Sequence, residues 1–116
     1  MSNELPPIVD EITLNELREL LEDGFAELLR TYLNDLDADS RILEQRCMGG
    51  DAEELRKIAH KLKSASASVG AKRLSAIAFE LEQMGREDEL GGAVPALMRF
   101  AACAKATREA LKAAMD

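Results

Sequence analysis

The sequence predicts an all-α protein, an antiparallel four-helix bundle with a short extra N-terminal helix. Residues that favour helices dominate the composition, whereas aromatic residues make up 3% of the chain and strand-like clusters of β-branched residues are scarce. Apolar residues recur at helical spacing in four long segments. Short loops marked by glycine or proline separate these segments, and short loops make consecutive helices antiparallel neighbours.

The first predicted helix covers residues 14–22. Thr13 and Glu16 have the spacing of a capping box, which places the start of this helix directly after Thr13. The second predicted helix covers residues 25–48, because its apolar stripe continues over about six turns until a pair of glycines ends it. The short first helix is therefore expected to cover one end of a bundle that the longer helices form.

The remaining three predicted helices complete the bundle. The third covers residues 52–69 and opens with a second capping box, whose first member is Asp51. The fourth covers residues 72–84. The fifth covers residues 94–115 and has Pro95 in its first turn, where the missing N–H group of proline costs nothing.

Length, charge and cysteine usage restrict the function. A chain of 116 residues is expected to form a single domain over residues 1–116. Its net charge of −7 argues against nucleic-acid binding, which usually requires positive charge. Residues 1–7 do not resemble a signal peptide, and no segment approaches a membrane span, so we expect a cytoplasmic protein without a membrane partner. The spacing of Cys47 and Cys103 fits neither a zinc site nor a redox motif, and reduced, buried thiols are expected.

The only histidine, His60, lies on the third predicted helix and points away from the core. At about 100° per residue, the core positions of this helix lie roughly 140° to 200° around the axis from it. Ser64 and Ala67 follow on the same side as His60, and their small side chains leave room for a large partner. The stretch from 55 to 73 contains six basic residues and no acidic one. We therefore expect a positive patch that suits an anion or an acidic partner.

The segment that begins at His60 resembles the signature of histidine phosphotransfer (HPt) domains; it reads HKLKSASASVGA. The signature consists of His, any residue, Leu, Lys, Gly, two small residues, two variable positions, an aliphatic residue and Gly. The match continues through Leu81-Glu82 and Gly85-Arg86, and with the helix pattern it covers nearly the whole chain. One position departs from the family: Ser64 stands where Gly is usual. We expect access to the histidine to be kept, and donation by the Ser64 hydroxyl to a phosphoryl oxygen is a hypothesis.

This resemblance implies a freestanding HPt protein of a multistep two-component phosphorelay of bacterial type. His60 would accept a phosphoryl group from an aspartyl phosphate on one receiver domain and pass it to an aspartate on another. The implied partners are receiver domains of hybrid sensor kinases and response regulators, and a monomer is expected. The protein would be a carrier without ATP-dependent kinase activity and would need no cofactor or metal of its own, because the receiver supplies the magnesium.

The resemblance also implies roles for two residues beside His60. The family orients its histidine with a polar side chain, often Gln, that lies 22 residues further on; Glu82 has this position here. The midpoint between positions 60 and 82 falls at the turn after Gly70, so the two side chains face each other in an antiparallel hairpin. Glu82 is expected to be an exposed residue that accepts a hydrogen bond from Nδ1 of His60 and contributes little to stability. Gln83 is the alternative residue for orienting the ring. Lys63 is expected to offset phosphoryl charge.

A docking face near His60 is expected to combine charge with small and apolar side chains. Its predicted members are Arg56, Lys57, Lys61, Ser64, Ala67, Phe79 and Met84.

Three other functions compete with this interpretation. A histidine-kinase dimerisation helix pair has an acidic residue directly after the histidine and a proline soon after it, whereas Lys61 follows here and the next proline is Pro95. A metal-binding bundle needs Glu and His pairs three residues apart, but lysines lie three residues from His60 on both sides. The alternative that stays open is a helical adaptor that binds receiver or regulator proteins without being phosphorylated. A test for phosphorylation of His60 distinguishes this adaptor from a relay protein.

Overall fold

A computed structural model describes residues 5–115 of the chain, so that the first four residues of the N-terminal stretch and the last residue lie outside it. Within this range the regular structure consists of five α-helices and one 3-10 turn, without strands, and the predicted all-α class is confirmed. The elements are α1 (Glu11–Leu21), α2 (Gly24–Met48), α3 (Ala52–Ser68), α4 (Lys72–Arg86), the 3-10 turn (Leu90–Gly92) and α5 (Ala93–Met115). None of these helices is long and apolar enough to cross a membrane.

Helices α2 to α5 form the four-helix bundle. Each of them packs against two neighbours: α2 and α4 both contact α3 and α5, and the α3–α4 pair has the most extensive contact. The short α1 packs against α2 at the end of the bundle where α3 turns into α4. There, the backbone N–H of Asp10 donates to the carbonyl oxygen of Gly70 at 2.8 Å. The chain therefore has the predicted arrangement of a bundle with an extra N-terminal helix.

The start of α1 differs from the prediction. The helix begins three residues earlier, because Asp10 rather than Thr13 is its N-cap and accepts a hydrogen bond from the backbone N–H of Ile12 at 3.3 Å. The hydroxyl of Thr13 donates to the same carboxylate at 2.7 Å. This bond, together with Lys72, lowers the pKa of Asp10. A carboxylate at the positive end of a helix dipole caps well, so the interpretation of Thr13 as the cap was wrong. The other α-helix boundaries lie within two residues of their predicted positions.

Leucines that repeat every seven residues build the core. In α2 these are Leu29, Leu36 and Leu43, and each is at most 1% exposed. The same spacing recurs in α3 with Leu55 and Leu62, and in α4 with Leu74 and Leu81. A seven-residue repeat keeps one helix face towards the neighbours, and each buried leucine contributes about 1.5–3 kcal/mol. Both cysteines are buried and unpaired, as expected.

Gly85 allows α4 to lie unusually close to the first turns of α3. A Cβ atom at Gly85 would lie 2.7 Å from the carbonyl oxygen of Ala52 and 2.8 Å from the backbone nitrogen of Arg56. No larger residue fits there without moving one of the helices. On α4, Glu82 lies almost one turn before Gly85, and Arg86 directly follows Gly85. The close approach therefore brings the side chains of Glu82 and Arg86 to the face of α3.

Candidate functional site

His60 lies on α3 at the boundary between α4 and solvent. Its side chain is 58% exposed, whereas the neighbouring Ala59 is buried. The ring atom Nδ1 is 2.8 Å from Oε2 of Glu82 on α4. The structure thus joins His60 to Glu82 and not to Gln83, the alternative that lay one residue out of register. Nε2 has no hydrogen-bond partner among the residues that the structure describes, so this nitrogen is open to a reaction partner.

Glu82 is buried, which corrects the expectation of an exposed side chain. Only 1% of it is accessible. Its carboxylate is surrounded by three groups: Nδ1 of His60, Nζ of Lys63 at 2.7 Å from Oε1, and Nη2 of Arg86 at 3.4 Å from Oε2. The Lys63 contact is an ion pair rather than an aligned hydrogen bond, because no hydrogen bond of good geometry reaches Oε1. A buried carboxylate requires such partners, so they are part of the site.

The protonation of the pair follows from this environment. Burial by itself raises the pKa of Glu82, but the ion pair with Lys63 and the contact with His60 outweigh it, and the pKa is lowered. Glu82 is therefore ionised at neutral pH and can only accept hydrogen bonds. It follows that Nδ1 of the neutral ring carries the proton and Nε2 carries the lone pair. A neutral imidazole with a free Nε2 is a nucleophile.

Lys63 lies between the buried carboxylate and the predicted docking face. Its side chain is 29% exposed, and its ammonium group lies 5.2 Å from the ring centre of Phe79 as well as against Glu82. In this arrangement the charge of Lys63 is already engaged by Glu82. Its predicted role towards a phosphoryl group on His60 stays a prediction.

The positive patch expected around His60 is largely neutralised. Lys63 pairs with Glu82, and Lys72 pairs with Asp10 at 2.9 Å. Three further basic residues also pair with acidic residues that lie outside the stretch from 55 to 73. The pairs are Arg56 with Glu53 at 2.6 Å, Lys57 with Glu54 at 3.4 Å, and Lys61 with Asp39 at 3.0 Å. The count within the stretch misjudged the local charge, because it omitted the preceding turn of α3 and the facing side of α2. The surface beside His60 therefore carries charges of both signs.

The small and apolar members of the predicted docking face do not all lie together. Ser64 and Ala67 are exposed on α3, and Phe79 is 47% exposed beside Lys63. Met84 lies about 160° around α4 from Glu82. Its Cε is 3.9 Å from where a Cβ of Gly92 would lie, so Met84 packs towards the 3-10 turn and does not belong to this face.

Two residues that support the site were assigned no part in it from the sequence. Arg86 contacts the same oxygen of Glu82 that accepts the bond from His60, and its (i, i+4) spacing from Glu82 is a signal that could have found it. Ser75 on α4 donates to the carbonyl oxygen of Lys63 at 2.8 Å and ties the two helices together. No sequence pattern indicates that contact.

Comparisons with known proteins agree with this arrangement. A family model described as the Hpt domain matches residues 27–115. The crystal structure of histidine-containing phosphotransfer protein B (HptB) from Pseudomonas aeruginosa PAO1 is similar, with a TM-score of 0.91 and 31% sequence identity. The match covers 94% of this chain and 95% of that chain. A comparison with curated proteins found no significant match.

Proposed function

Because the chain belongs to the Hpt domain family and acts in histidine phosphotransfer within a phosphorelay, we propose that His60 is the residue that carries the phosphoryl group. The observation that carries this proposal is the 2.8 Å contact between Nδ1 of His60 and the buried carboxylate of Glu82. It fixes the tautomer that leaves Nε2 free, and it holds that nitrogen at the surface. His60 is also the only histidine of the chain.

The proposed reaction needs alignment and charge stabilisation more than acid–base chemistry. Nε2 of His60 attacks the phosphorus of an aspartyl phosphate on a receiver domain. The P–O bond breaks, the aspartate leaves as a carboxylate, and a P–N bond forms. Transfer to the aspartate of a second receiver reverses these steps. Glu82 positions the ring, Lys63 offsets phosphoryl charge, and the chain acts as a carrier without ATP-dependent kinase activity.

The proposed partners are receiver domains of hybrid sensor kinases and of response regulators. Ser64, Ala67 and Phe79 form the part of the surface beside His60 that a receiver would cover, because they are exposed and either small or apolar. The paired charges of Arg56, Lys57 and Lys61 form its polar edge, where opposite charges on a partner set register and association rate rather than affinity. The family resemblance implies a monomer, and the cytoplasmic location expected from the sequence completes the proposal.

A phosphotransfer profile tests this function against the adaptor alternative. Candidate receivers are phosphorylated with a labelled phosphoryl group, mixed with the protein, and the label on each protein is followed over time. The relay predicts that label moves from a cognate receiver to this chain and onward to a second receiver. Stable binding of receivers with no label on the chain from any of them would support the adaptor and contradict the relay.

A further inference from the structure

We propose that the negative charge of Glu82 keeps Nδ1 of His60 protonated while the phosphoryl group is bound at Nε2, so that the ring departs as neutral imidazole in onward transfer. This inference rests on the proposed role of His60 and extends it from uptake of the phosphoryl group to its release. Glu82 is thereby a positioning residue: its contact orients the imidazole ring, and its negative charge keeps Nδ1 protonated.

The bond changes in the two transfers explain why the Nδ1 proton matters. When Nε2 attacks phosphorus, its lone pair forms the P–N bond. Because Nδ1 keeps its proton, the phosphorylated ring then carries a positive charge. In onward transfer the P–N bond breaks, the electron pair returns to Nε2, and a P–O bond forms on the acceptor aspartate. With Nδ1 protonated, the leaving group is neutral imidazole. Without that proton it would be imidazolate, a much stronger base and a poorer leaving group.

The geometry at Nδ1 favours the protonated ring. Oε2 of Glu82 lies 2.8 Å from Nδ1 and, as part of a carboxylate, has only lone pairs to offer. Removing the proton would set the lone pair of Nδ1 against that oxygen. An amide at position 82 behaves differently, because it can accept from protonated Nδ1 through its oxygen or turn and donate its N–H to bare Nδ1. A carboxylate accommodates one protonation state of the ring, and an amide accommodates both.

Nearby cations oppose this effect, but they are weaker than the direct contact. Lys63 from α3 and Arg86 from α4 both contact the carboxylate of Glu82, and their side chains are 29% and 59% exposed, so solvent screens their action on the ring. Lys63 also holds Glu82 in its charged form. The other charged groups from α3 and α2 near the ring form compensated pairs, Arg56 with Glu53 and Lys61 with Asp39.

Nuclear magnetic resonance of the phosphorylated full chain tests the inference. His60 is the only histidine, so ¹⁵N-histidine labelling reports the ring nitrogens of this residue alone. The protein is phosphorylated with phosphoramidate, and the Nδ1 signal is followed from roughly pH 6 to 10, the range around histidine titration. In Glu82→Gln the midpoint for loss of the Nδ1 proton is expected at least about one pH unit below wild type, the effect of removing a close opposite charge.

The control is Glu80→Gln, which removes another carboxylate of α4 that pairs with Arg99 at 2.7 Å, and which should leave the midpoint unchanged. A second measurement needs no variant: the midpoint of the native phosphorylated protein is expected to exceed that of the same protein unfolded in urea. Equal midpoints in wild type and a folded Glu82→Gln, or in native and unfolded wild type, overturn the inference and leave the proposed function intact. Failure of wild-type His60 to acquire a phosphoryl group overturns both.

Discussion

Replacing Gly85 with alanine is expected to destabilise the protein by forcing α3 and α4 apart. The added Cβ would lie 2.7 Å from the carbonyl oxygen of Ala52 and 2.8 Å from the backbone nitrogen of Arg56, and backbone atoms cannot rotate away. Ordinary contact begins at 3.4 Å, so the helices must separate by roughly 0.7 Å. Overpacking of this kind costs about 1–3 kcal/mol, whereas alanine gains about 1 kcal/mol of helix propensity over glycine. The net expected loss is therefore up to about 2 kcal/mol.

Urea unfolding followed by far-UV circular dichroism measures this loss, with Gly91→Ala as the matched control. A Cβ at Gly91 meets no atom within 4 Å, so this variant should unfold like wild type. The same separation of helices should lengthen the contact between His60 and Glu82, so Gly85→Ala is also expected to take up phosphoryl from a receiver more slowly. A Gly85→Ala protein that keeps both the stability and the phosphoryl uptake rate of wild type would refute the idea that the close approach of α4 to α3 positions the site.

Other variants and conditions probe the site directly. Glu82→Ala removes the acceptor for Nδ1 and the partner of two cations, so transfer should slow roughly tenfold and the free energy of unfolding should fall by about 1–3 kcal/mol; unchanged transfer kinetics and urea midpoints would contradict this. Ser64→Tyr adds a large ring one turn from His60 on an exposed surface, so uptake from a receiver should stop while uptake from phosphoramidate and the urea midpoint persist. Normal uptake from the receiver would exclude this surface from docking. Because the pKa of Glu82 is lowered by folding, its stabilising contribution is present above the unfolded value of about 4.3 and is lost as pH falls through the lower folded value. The stability difference between wild type and Glu82→Gln should therefore change as the pH falls from about 5 to about 3, and a difference that stays the same over this range would argue against it.

The fold could be predicted because its determinants are local in the sequence. The seven-residue leucine repeats and the glycine turns indicate helices and loops without knowledge of their neighbours. The start of α1 was missed because two capping candidates compete within four residues, and Asp10 is selected by contacts from elsewhere. One of these is the ion pair between Asp10 and Lys72 at 2.9 Å, which no local pattern contains.

The candidate site could be predicted in part. The residue string around His60 and the spacing to Glu82 identified the pair that the structure joins at 2.8 Å. The burial of Glu82 could not be predicted, because it depends on the close approach that Gly85 permits and on two cations that converge from different helices. The expected positive patch was wrong for a related reason: acidic partners from the preceding turn and from α2 neutralise it.

Whether His60 carries the phosphoryl group is decided by comparing wild type with His60→Gln after mixing each with a phosphorylated cognate receiver. Intact-protein mass and radiolabel report uptake, and circular dichroism checks that the variant is folded. We expect wild type to gain one phosphoryl group, labile in acid and stable in alkali as a phosphoramidate is, and His60→Gln to gain none. A folded His60→Gln protein that still accepts label from the receiver would contradict this expectation.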